Sequence, residues 1–218
     1  PAVIKFKGYS PFSFKYKKCP VILTELCQKG SLDKILQKER ELQSPTGWSE
    51  TKKLINLYGI AAAMSYLHKY HIIHRDLKPS NILQDDDFYP KVADFGLSKV
   101  LHSNAESMSI VSTVATVGTP SYISPEILSD HKYDKPADVY AYAFIVYETV
   151  VKKVPRYDVE DFRMILPILQ EGIRPEIDES VPECYKQLIT KCWATKPEDR
   201  PTFDDIVEFL KSDVFINN

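Results

Sequence analysis

Two short runs of this sequence bring together side chains that can transfer a phosphoryl group. The run His74-Arg75-Asp76-Leu77-Lys78-Pro79-Ser80-Asn81 supplies a carboxylate, an ammonium group and a carboxamide close together. The run Asp94-Phe95-Gly96 supplies a second carboxylate and a glycine that lets the backbone turn sharply. Phosphoryl transfer requires a group that orients the attacking hydroxyl, a cation that balances the moving phosphate and oxygen ligands for Mg2+. The residue types and their order therefore predict a phosphoryl-transfer site.

The bulk composition is that of an ordinary globular protein. The chain has 218 residues, 44% hydrophobic and 27% charged, so it can form one large domain or two small lobes. The net charge of -2 gives no indication of nucleic acid or an anionic membrane surface as a partner. No apolar run reaches the roughly 18 residues of a membrane span. The four cysteines form no C-x-x-C pair, so we expect a reducing, cytoplasmic setting without a zinc site or disulfide framework.

The spacing of apolar residues predicts a mainly helical chain with a few short strands. The expected strands are 2–6, 19–24, 81–83 and 91–93. Ser31 and Ser49 are suitable N-caps for a short helix and for a longer helix that ends near Lys69. A helix that is apolar nearly all round runs from Pro136 to Val151, which predicts burial at the centre of a domain. The expected amphipathic segments that follow are 161–170, 182–193 and 203–210.

Together, the two motifs and the order of the elements resemble a eukaryotic protein kinase over nearly the whole chain. The details are similar to serine/threonine members of the tyrosine-kinase-like group. The resemblance implies an α+β, mainly helical fold, formed by a kinase C-lobe with the last strands and the hinge of the N-lobe. It makes residues 1–26 a remnant of the N-lobe, comprising its strands 4 and 5 up to the hinge, and residues 27–218 the C-lobe.

The resemblance also implies roles for the residues of the two motifs. Asp76 is expected to accept the proton of the substrate hydroxyl or to orient that hydroxyl, and Lys78 to balance charge on the γ-phosphate. Asn81 and Asp94 are expected to hold Mg2+ or Mn2+, with ATP as the phosphate donor. The alternative is that these residues are polar surface groups without a joint role.

A further part of the resemblance lies in Leu23-Thr24-Glu25-Leu26-Cys27, followed by Gly30-Ser31-Leu32. These residues look like the strand and hinge on which adenine rests. The residues expected to contact the nucleotide are Thr24 as gatekeeper, Glu25 and Cys27 through their backbone, Leu83 as the floor and Ala93 beside the Asp-Phe-Gly turn. The alternative is a buried strand and nothing more.

The run Gly118-Thr119-Pro120-Ser121-Tyr122-Ile123-Ser124-Pro125-Glu126 resembles the segment that receives the peptide substrate. It has Ser-Pro-Glu where the family usually has Ala-Pro-Glu. In the family this glutamate pairs with a late arginine, so Glu126 is expected to pair with Arg200. Thr119 and Lys78 resemble the serine/threonine pattern, which predicts Ser and Thr side chains as acceptors.

Three residues are expected to support the site without reacting. Asp138 lies on the apolar helix and matches the aspartate that fastens the His-Arg-Asp loop in the family. A carboxylate on so apolar a helix needs hydrogen-bond donors, which agrees with that role. His74 and Phe95 are expected to be packing residues of the hydrophobic spine.

The pair Arg75-Asp76 is the arrangement of kinases that are activated by phosphorylation of a loop. The Ser/Thr-rich stretch 97–117 is expected to be this mobile loop. The candidate acceptors in it are Ser112, Thr113 and Thr116. A phosphate there, added by an upstream kinase or by the protein itself, can pair with Arg75 and order the loop. The alternative is that these hydroxyl groups are simply solvated.

The start of the chain departs from the family pattern. None of its seven glycines forms a Gly-x-Gly-x-x-Gly loop. The run Ala2-Val3-Ile4-Lys5 looks like the motif of the phosphate-pairing lysine, but no helix with a partner glutamate fits between it and Thr24. Lys5 is therefore interpreted as an exposed residue of the family's fourth strand, and the chain as N-terminally incomplete.

Two functions remain open from the sequence. The first is a serine/threonine kinase that phosphorylates protein substrates in intracellular signalling, which the intact residue set of the lower lobe favours. The second is a kinase-fold interaction module that binds peptides or a partner kinase with little or no transfer, which the missing lysine favours. ATP-dependent phosphate release discriminates between them, with Asp94→Asn as the control.

Overall fold

The computed structural model describes residues 2–12, 19–100, 120–130, 133–157, 165–212 and 215. The strands are β1 Phe6–Ser10, β2 Val21–Thr24, β3 Gly30–Ser31, β4 Ile72–Ile73, β5 Ile82–Gln84, β6 Pro90–Val92 and β7 Lys99–Val100. The helices are α1 Leu32–Arg40, α2 Glu50–Lys69, α3 Pro125–Asp130, α4 Lys135–Val151, α5 Ile165–Gln170, α6 Glu183–Cys192 and α7 Phe203–Lys211. The predicted α+β, mainly helical fold is confirmed. Among these helices none is long and apolar enough to cross a bilayer.

Helix α4 lies at the centre of the helical body. It begins after Asp134, whose carboxylate accepts the Lys135 N–H at 2.7 Å, and Pro136 occupies its first turn. Nearly all of its side chains are buried, because α2 and α6 both pack against it. The Tyr142 hydroxyl donates to the carbonyl of Leu57 on α2 at 2.9 Å. The prediction of a central buried helix is therefore confirmed.

Helix α2 and the β5–β6 hairpin flank the loop that carries Asp76. The Ser49 hydroxyl accepts a backbone N–H of the first turn of α2, as expected for its N-cap. Strand β5 begins one residue later than predicted, because Asn81 closes a short 3-10 turn that starts at Pro79. Strand β6 begins one residue earlier, since Pro90 pairs with Gln84 in the antiparallel ladder.

The predicted position of the first strand is wrong. The prediction covered residues 2–6, whereas β1 spans Phe6–Ser10. The preceding residues run beside β6 instead. Val92 donates its N–H to the Ala2 carbonyl at 2.7 Å, and the Ile4 N–H donates to the Val92 carbonyl at 2.9 Å. Lys5 is exposed, as predicted, but it lies before β1 and not within a strand.

The β1–β2 hairpin is exposed to solvent. Its second strand begins at Val21 and not at Cys19 as predicted, because Pro20 has no N–H to give to a ladder. Ile22 and Leu26 keep 67% and 83% of their surface exposed. Within the described residues, the two strands form a two-stranded sheet of their own. The alternative prediction of a buried strand at this point is therefore wrong.

Candidate active site

Asp76 lies at the centre of a hydrogen-bonded network made by its own loop. The Lys78 ammonium group donates to both carboxylate oxygens, at 2.9 Å to Oδ1 and 2.8 Å to Oδ2. The Asn81 side-chain amide donates to Oδ2 at 2.8 Å and to the Asp76 carbonyl at 2.7 Å. The 3-10 turn that begins at Pro79 brings these side chains face to face. The loop therefore gathers the carboxylate, the cation and the carboxamide that the sequence indicated.

Asp138 on α4 anchors this loop from below. Its carboxylate is buried and accepts the backbone N–H groups of His74 and Arg75, each at 2.9 Å. The His68 ring nitrogen lies 2.9 Å from the same carboxylate. Arg75 has a φ of 72°, a left-handed conformation that costs energy for a residue with a side chain. Asp138 stabilises this conformation, because it offers both amides a charged acceptor.

Asp94 is the second residue of the site with a left-handed backbone conformation, since its φ is 61°. Its carboxylate accepts the Gly96 N–H at 3.4 Å. The His74 and Phe95 rings pack with their centres 5.2 Å apart, and His74 Nε2 lies 2.9 Å from the Ala93 carbonyl. These contacts connect the segment that carries Asp94 to the loop of residues 74–81, which we call the catalytic loop. His74 is fully buried, so its role here is in packing and hydrogen bonding.

The donor set of Asn81 and Asp94 suits a hard divalent cation. Asn81 uses its amide nitrogen on Asp76, which leaves its side-chain oxygen for another partner. Asp94 is exposed and contributes a carboxylate. Ala93 donates its N–H to the Asn81 carbonyl at 2.9 Å, so the two segments run side by side. Two oxygen donors leave coordination positions for phosphate oxygens and water, which is the arrangement that Mg2+ prefers.

A buried ion pair connects α3 to the segment before α7. Arg200 donates to both oxygens of Glu126, from Nη1 at 2.7 Å and from Nη2 at 2.9 Å. The same guanidinium donates to the carbonyls of Ala194, Pro136 and Thr195. The predicted pairing of Glu126 with Arg200 is present. It fixes α3, whose first two residues end the expected substrate segment, against the helical body.

Sequence comparisons complete this description. A family profile described as the protein kinase domain matches residues 1–210. The chain belongs to the protein kinase family. The probable serine/threonine-protein kinase drkB of Dictyostelium discoideum is 34% identical over 227 residues, covering 100% of this chain and 31% of that protein. A probable LIM domain-containing serine/threonine-protein kinase of the same organism is 36% identical over 213 residues, covering 97% of this chain and 30% of that protein.

The relatives are considerably longer than this kinase chain. The probable serine/threonine-protein kinase drkA of Dictyostelium discoideum is 36% identical over 193 residues, covering 88% of this chain and 28% of that protein. The chain thus spans less than a third of the length of each of these three relatives. Protein kinases as a family use ATP with a divalent cation and act on protein substrates.

The residues expected on the nucleotide side of the kinase site lie on two different sheets. Leu83 pairs with Ser31 in the sheet of β3, β5 and β6, and the buried Ala93 follows β6. Thr24 ends β2, where it is exposed, and its hydroxyl donates to the Glu25 carbonyl at 3.2 Å. The structure thus groups two of the five residues with the catalytic loop and leaves Thr24 on the exposed hairpin.

Cys27 lies between these two sheets in the expected hinge. Its carbonyl accepts the Gly30 N–H at 3.3 Å. Burial and the neighbouring Glu25 raise the pKa of the Cys27 thiol, so it is uncharged at neutral pH. The thiol therefore adds no negative charge to the expected hinge.

Arg75 faces a small cavity next to Asp76. Its guanidinium lies over the Tyr133 ring, 4.5 Å from the ring centre, and its Nε is buried without a hydrogen-bond partner among the described residues. Lys78 and Tyr122 line the same cavity. The predicted segment residues that lie outside the described residues are Ser112, Thr113, Thr116 and Thr119. The pairing of a phosphate on Ser112, Thr113 or Thr116 with Arg75 stays a prediction, as does the role of Thr119 in the acceptor class.

Sequence reasoning missed a row of polar contacts behind this cavity. Glu148 is buried, accepts the Tyr122 hydroxyl and lies 3.3 Å from Arg40 Nη1 on α1. Burial raises the pKa of Glu148 to about 7, although Arg40 opposes this shift, and Asp33 adds to it. The signal was present in the sequence, because a carboxylate on so apolar a helix needs donors. The same argument had identified Asp138.

Proposed function

We propose that the protein is a serine/threonine kinase that transfers the γ-phosphate of ATP to Ser and Thr hydroxyls of proteins in cytoplasmic signalling. The observation that carries this proposal is the Asp76 carboxylate, held between Lys78 and Asn81 in one loop. The similar proteins are named serine/threonine-protein kinases, which supports the assignment. Lys78 and Thr119 follow the serine/threonine pattern, which supports the acceptor class.

Asp76 is the residue that receives the acceptor hydroxyl in this proposal. A hydroxyl that donates to its carboxylate directs its oxygen toward the γ-phosphorus. As the new O–P bond forms, the proton passes to Asp76 and the bond to the β-phosphate oxygen breaks. Lys78 is placed to balance the charge of the moving phosphoryl group, since its ammonium lies against Asp76. Asn81 and Asp94 would hold Mg2+, which would neutralise charge on the phosphates.

The nucleotide side of the proposal follows the two lobes of the kinase fold. Residues 1–26 form the last strands of the N-lobe up to the hinge, and residues 27–218 form the C-lobe. The residues proposed to contact the nucleotide are Thr24, Glu25, Cys27, Leu83 and Ala93. Adenine then lies between the hinge and the β5–β6 hairpin, which leads directly to Asp94.

Regulation by phosphorylation is the second part of the proposal. A phosphate on the loop residues 112–116, added by an upstream kinase or by the protein itself, pairs with Arg75. The buried Nε of Arg75, which lacks a described hydrogen-bond partner, supports this role. We expect that an activating kinase no longer stimulates a variant with alanine at all three candidate positions, which are Ser112, Thr113 and Thr116. Unchanged activity in that variant contradicts the proposal.

The transfer reaction is tested with the natural gene product that contains this sequence. The purified protein is incubated with radiolabelled ATP, Mg2+ and a generic protein substrate, and the labelled amino acids are identified. We expect phosphoserine and phosphothreonine, and a loss of transfer of at least about a hundredfold in Asp94→Asn. The Asn variant is expected to keep the wild-type melting temperature, because Asp94 is exposed.

A matched carboxylate serves as the control for this experiment. Asp87→Asn makes the same change at an exposed position of the β5–β6 turn and is expected to keep wild-type activity. Phosphotyrosine as the product contradicts the acceptor class. A wild-type protein that binds ATP or a peptide without transferring phosphate supports the interaction-module alternative.

A further inference from the structure

A groove that shares no lining residue with the Asp76 cavity opens between the C-terminal ends of α1 and α4. Its volume is about 590 Å³, and cationic and apolar side chains form most of its lining. The lining residues on which the inference depends are Arg40, Leu42, Lys152, Lys153, Val154 and Arg156. We call this surface the basic groove. Four of these six side chains carry a positive charge, although the chain as a whole has a net charge of -2.

Two of the four cations already have partners within the protein. Lys152 lies 3.4 Å from Glu39, which is the one carboxylate among the lining residues. Glu39 also accepts a hydrogen bond from the buried Lys53. Arg40 lies 3.3 Å from Glu148. These pairs hold the wall of the groove in place and leave little of their positive charge for a partner.

Lys153 and Arg156 are the two cations of the groove without an ion-pair partner in the part of the chain that the structure describes. Both side chains are exposed, and among the described residues no carboxylate lies within 4.0 Å of either one. Asp178 attracts Lys153 only from beyond that distance. The two side chains therefore give the groove positive charge that an anionic partner can neutralise.

Two apolar side chains lie beside these cations. Leu42 is 94% exposed and has a left-handed φ of 58°, and Val154 is 38% exposed. Covering such side chains is favourable, because it removes apolar surface from water. A partner that matches the groove therefore has an apolar side chain next to acidic ones.

A row of contacts connects the groove to the catalytic loop. Arg40 in the groove wall donates to Glu148, which also accepts the Tyr122 hydroxyl. Tyr122 in turn lines the cavity that contains Asp76 and Lys78. The basic groove is thus linked to the cavity at Asp76 through the contacts of Arg40, Glu148 and Tyr122.

We propose that the basic groove binds an acidic segment of the protein substrate. Asp or Glu side chains of the substrate lie against Lys153 and Arg156, and an apolar side chain lies against Leu42 and Val154. This inference rests on the proposed function, since it names the substrate class of that kinase site. Anionic membranes and nucleic acids share the negative charge, but the apolar side chains and the contacts that link the groove to the Asp76 cavity favour a peptide.

The test uses two fluorescent peptides and the natural gene product. Both peptides contain one serine and one leucine; one carries several glutamates where the other carries glutamines. We expect the wild-type protein to bind the acidic peptide about tenfold more tightly than the neutral one, measured by fluorescence anisotropy at low salt. The double variant Lys153→Glu with Arg156→Glu is expected to lose this preference, while high salt weakens it in the wild type. In the kinase assay, we expect the difference between the acidic and the neutral peptide to lie in KM and not in kcat.

The control variant makes the same change of charge elsewhere. Lys69→Glu with Lys196→Glu replaces two exposed cations, one at the C-terminal end of α2 and one between α6 and α7, and is expected to keep the preference. Equal affinity of the wild-type protein for both peptides overturns the proposal, as does binding to phosphatidylserine vesicles or RNA but not to the acidic peptide. Binding is measured without transfer, so a protein that prefers the acidic peptide but never phosphorylates it overturns the proposed function alone.

Discussion

The catalytic loop and the β1–β2 hairpin, which we propose to form one kinase site, are stabilised in different ways. In the loop, Asp76 is bound by Lys78 and Asn81, and the backbone is held by the buried Asp138. In the hairpin, the two strands pair with each other, and apolar side chains such as Leu26 remain exposed. The two strands of the hairpin are hydrogen-bonded to each other, so what the hairpin lacks in comparison with the loop is burial.

This difference shows that the two halves of the site depend on different parts of the chain. The phosphate-handling half is built on α2 and α4, which bury their side chains against each other and against α6 and α7. The hairpin contributes the expected nucleotide side but little apolar burial. The geometry around Asp76 is therefore expected to persist when the hairpin is altered, because its partners are buried in the helical body.

Removing Arg200 is expected to have the largest effect on the helical body. Arg200→Ala leaves the partly buried Glu126 carboxylate and three backbone carbonyls without their donor. We expect the free energy of unfolding, measured in urea, to fall by about 3–5 kcal/mol, or the protein to become insoluble. Lys211→Ala, which removes an exposed pair with Glu208, is the control and is expected to leave the midpoint unchanged. A normal melting curve for Arg200→Ala contradicts this account.

A matched pair of leucine variants compares the two regions directly. Leu32 on α1 is fully buried, so Leu32→Ala is expected to lower the free energy of unfolding by about 2–5 kcal/mol. Leu26 next to the hairpin is 83% exposed, so Leu26→Ala is expected to change it by less than about 0.5 kcal/mol. Urea titrations of both variants measure the difference. Equal losses show that another surface of the natural protein covers Leu26, and the comparison then fails.

The pH dependence of stability sharpens the description of the helical body. The pKa of Glu148 is about 7 in the folded protein, against an ordinary value of 4.5. The folded protein therefore holds a proton that the unfolded chain releases, so Glu148 makes stability fall as pH rises from about 4.5 to about 7. The upper limit of this loss is about 3 kcal/mol.

The measurement compares the wild-type protein with Glu148→Gln at about pH 5 and at about pH 8. The Gln side chain does not titrate, so the variant is expected to lose less stability than the wild type over this range. An identical pH dependence in the two proteins shows that the folded-state pKa of Glu148 is not raised.

The sequence predicted the long helices well and the short strands less well. The limits of α2 and α4 lie within a residue or so of the predicted ones, because apolar periodicity over many residues averages out local ambiguity. The strand expected at residues 2–6 was misplaced, since a short alternating segment does not indicate the strand with which it pairs. The segment pairs with β6, because the N–H and the carbonyl of Val92 bind the backbone of Ala2 and Ile4.

Residue type and spacing along two short segments were sufficient to identify the family and the candidate reacting groups, because Asp76, Lys78 and Asn81 meet within a single loop. The resemblance also indicated that Asp138 fastens a loop more than sixty residues earlier, as its bonds to the two amides show. The tertiary structure alone decided that Glu148 joins Arg40 to Tyr122. Such a link leaves no periodic pattern in one sequence, so only the packing of α1 and Tyr122 against α4 could show it.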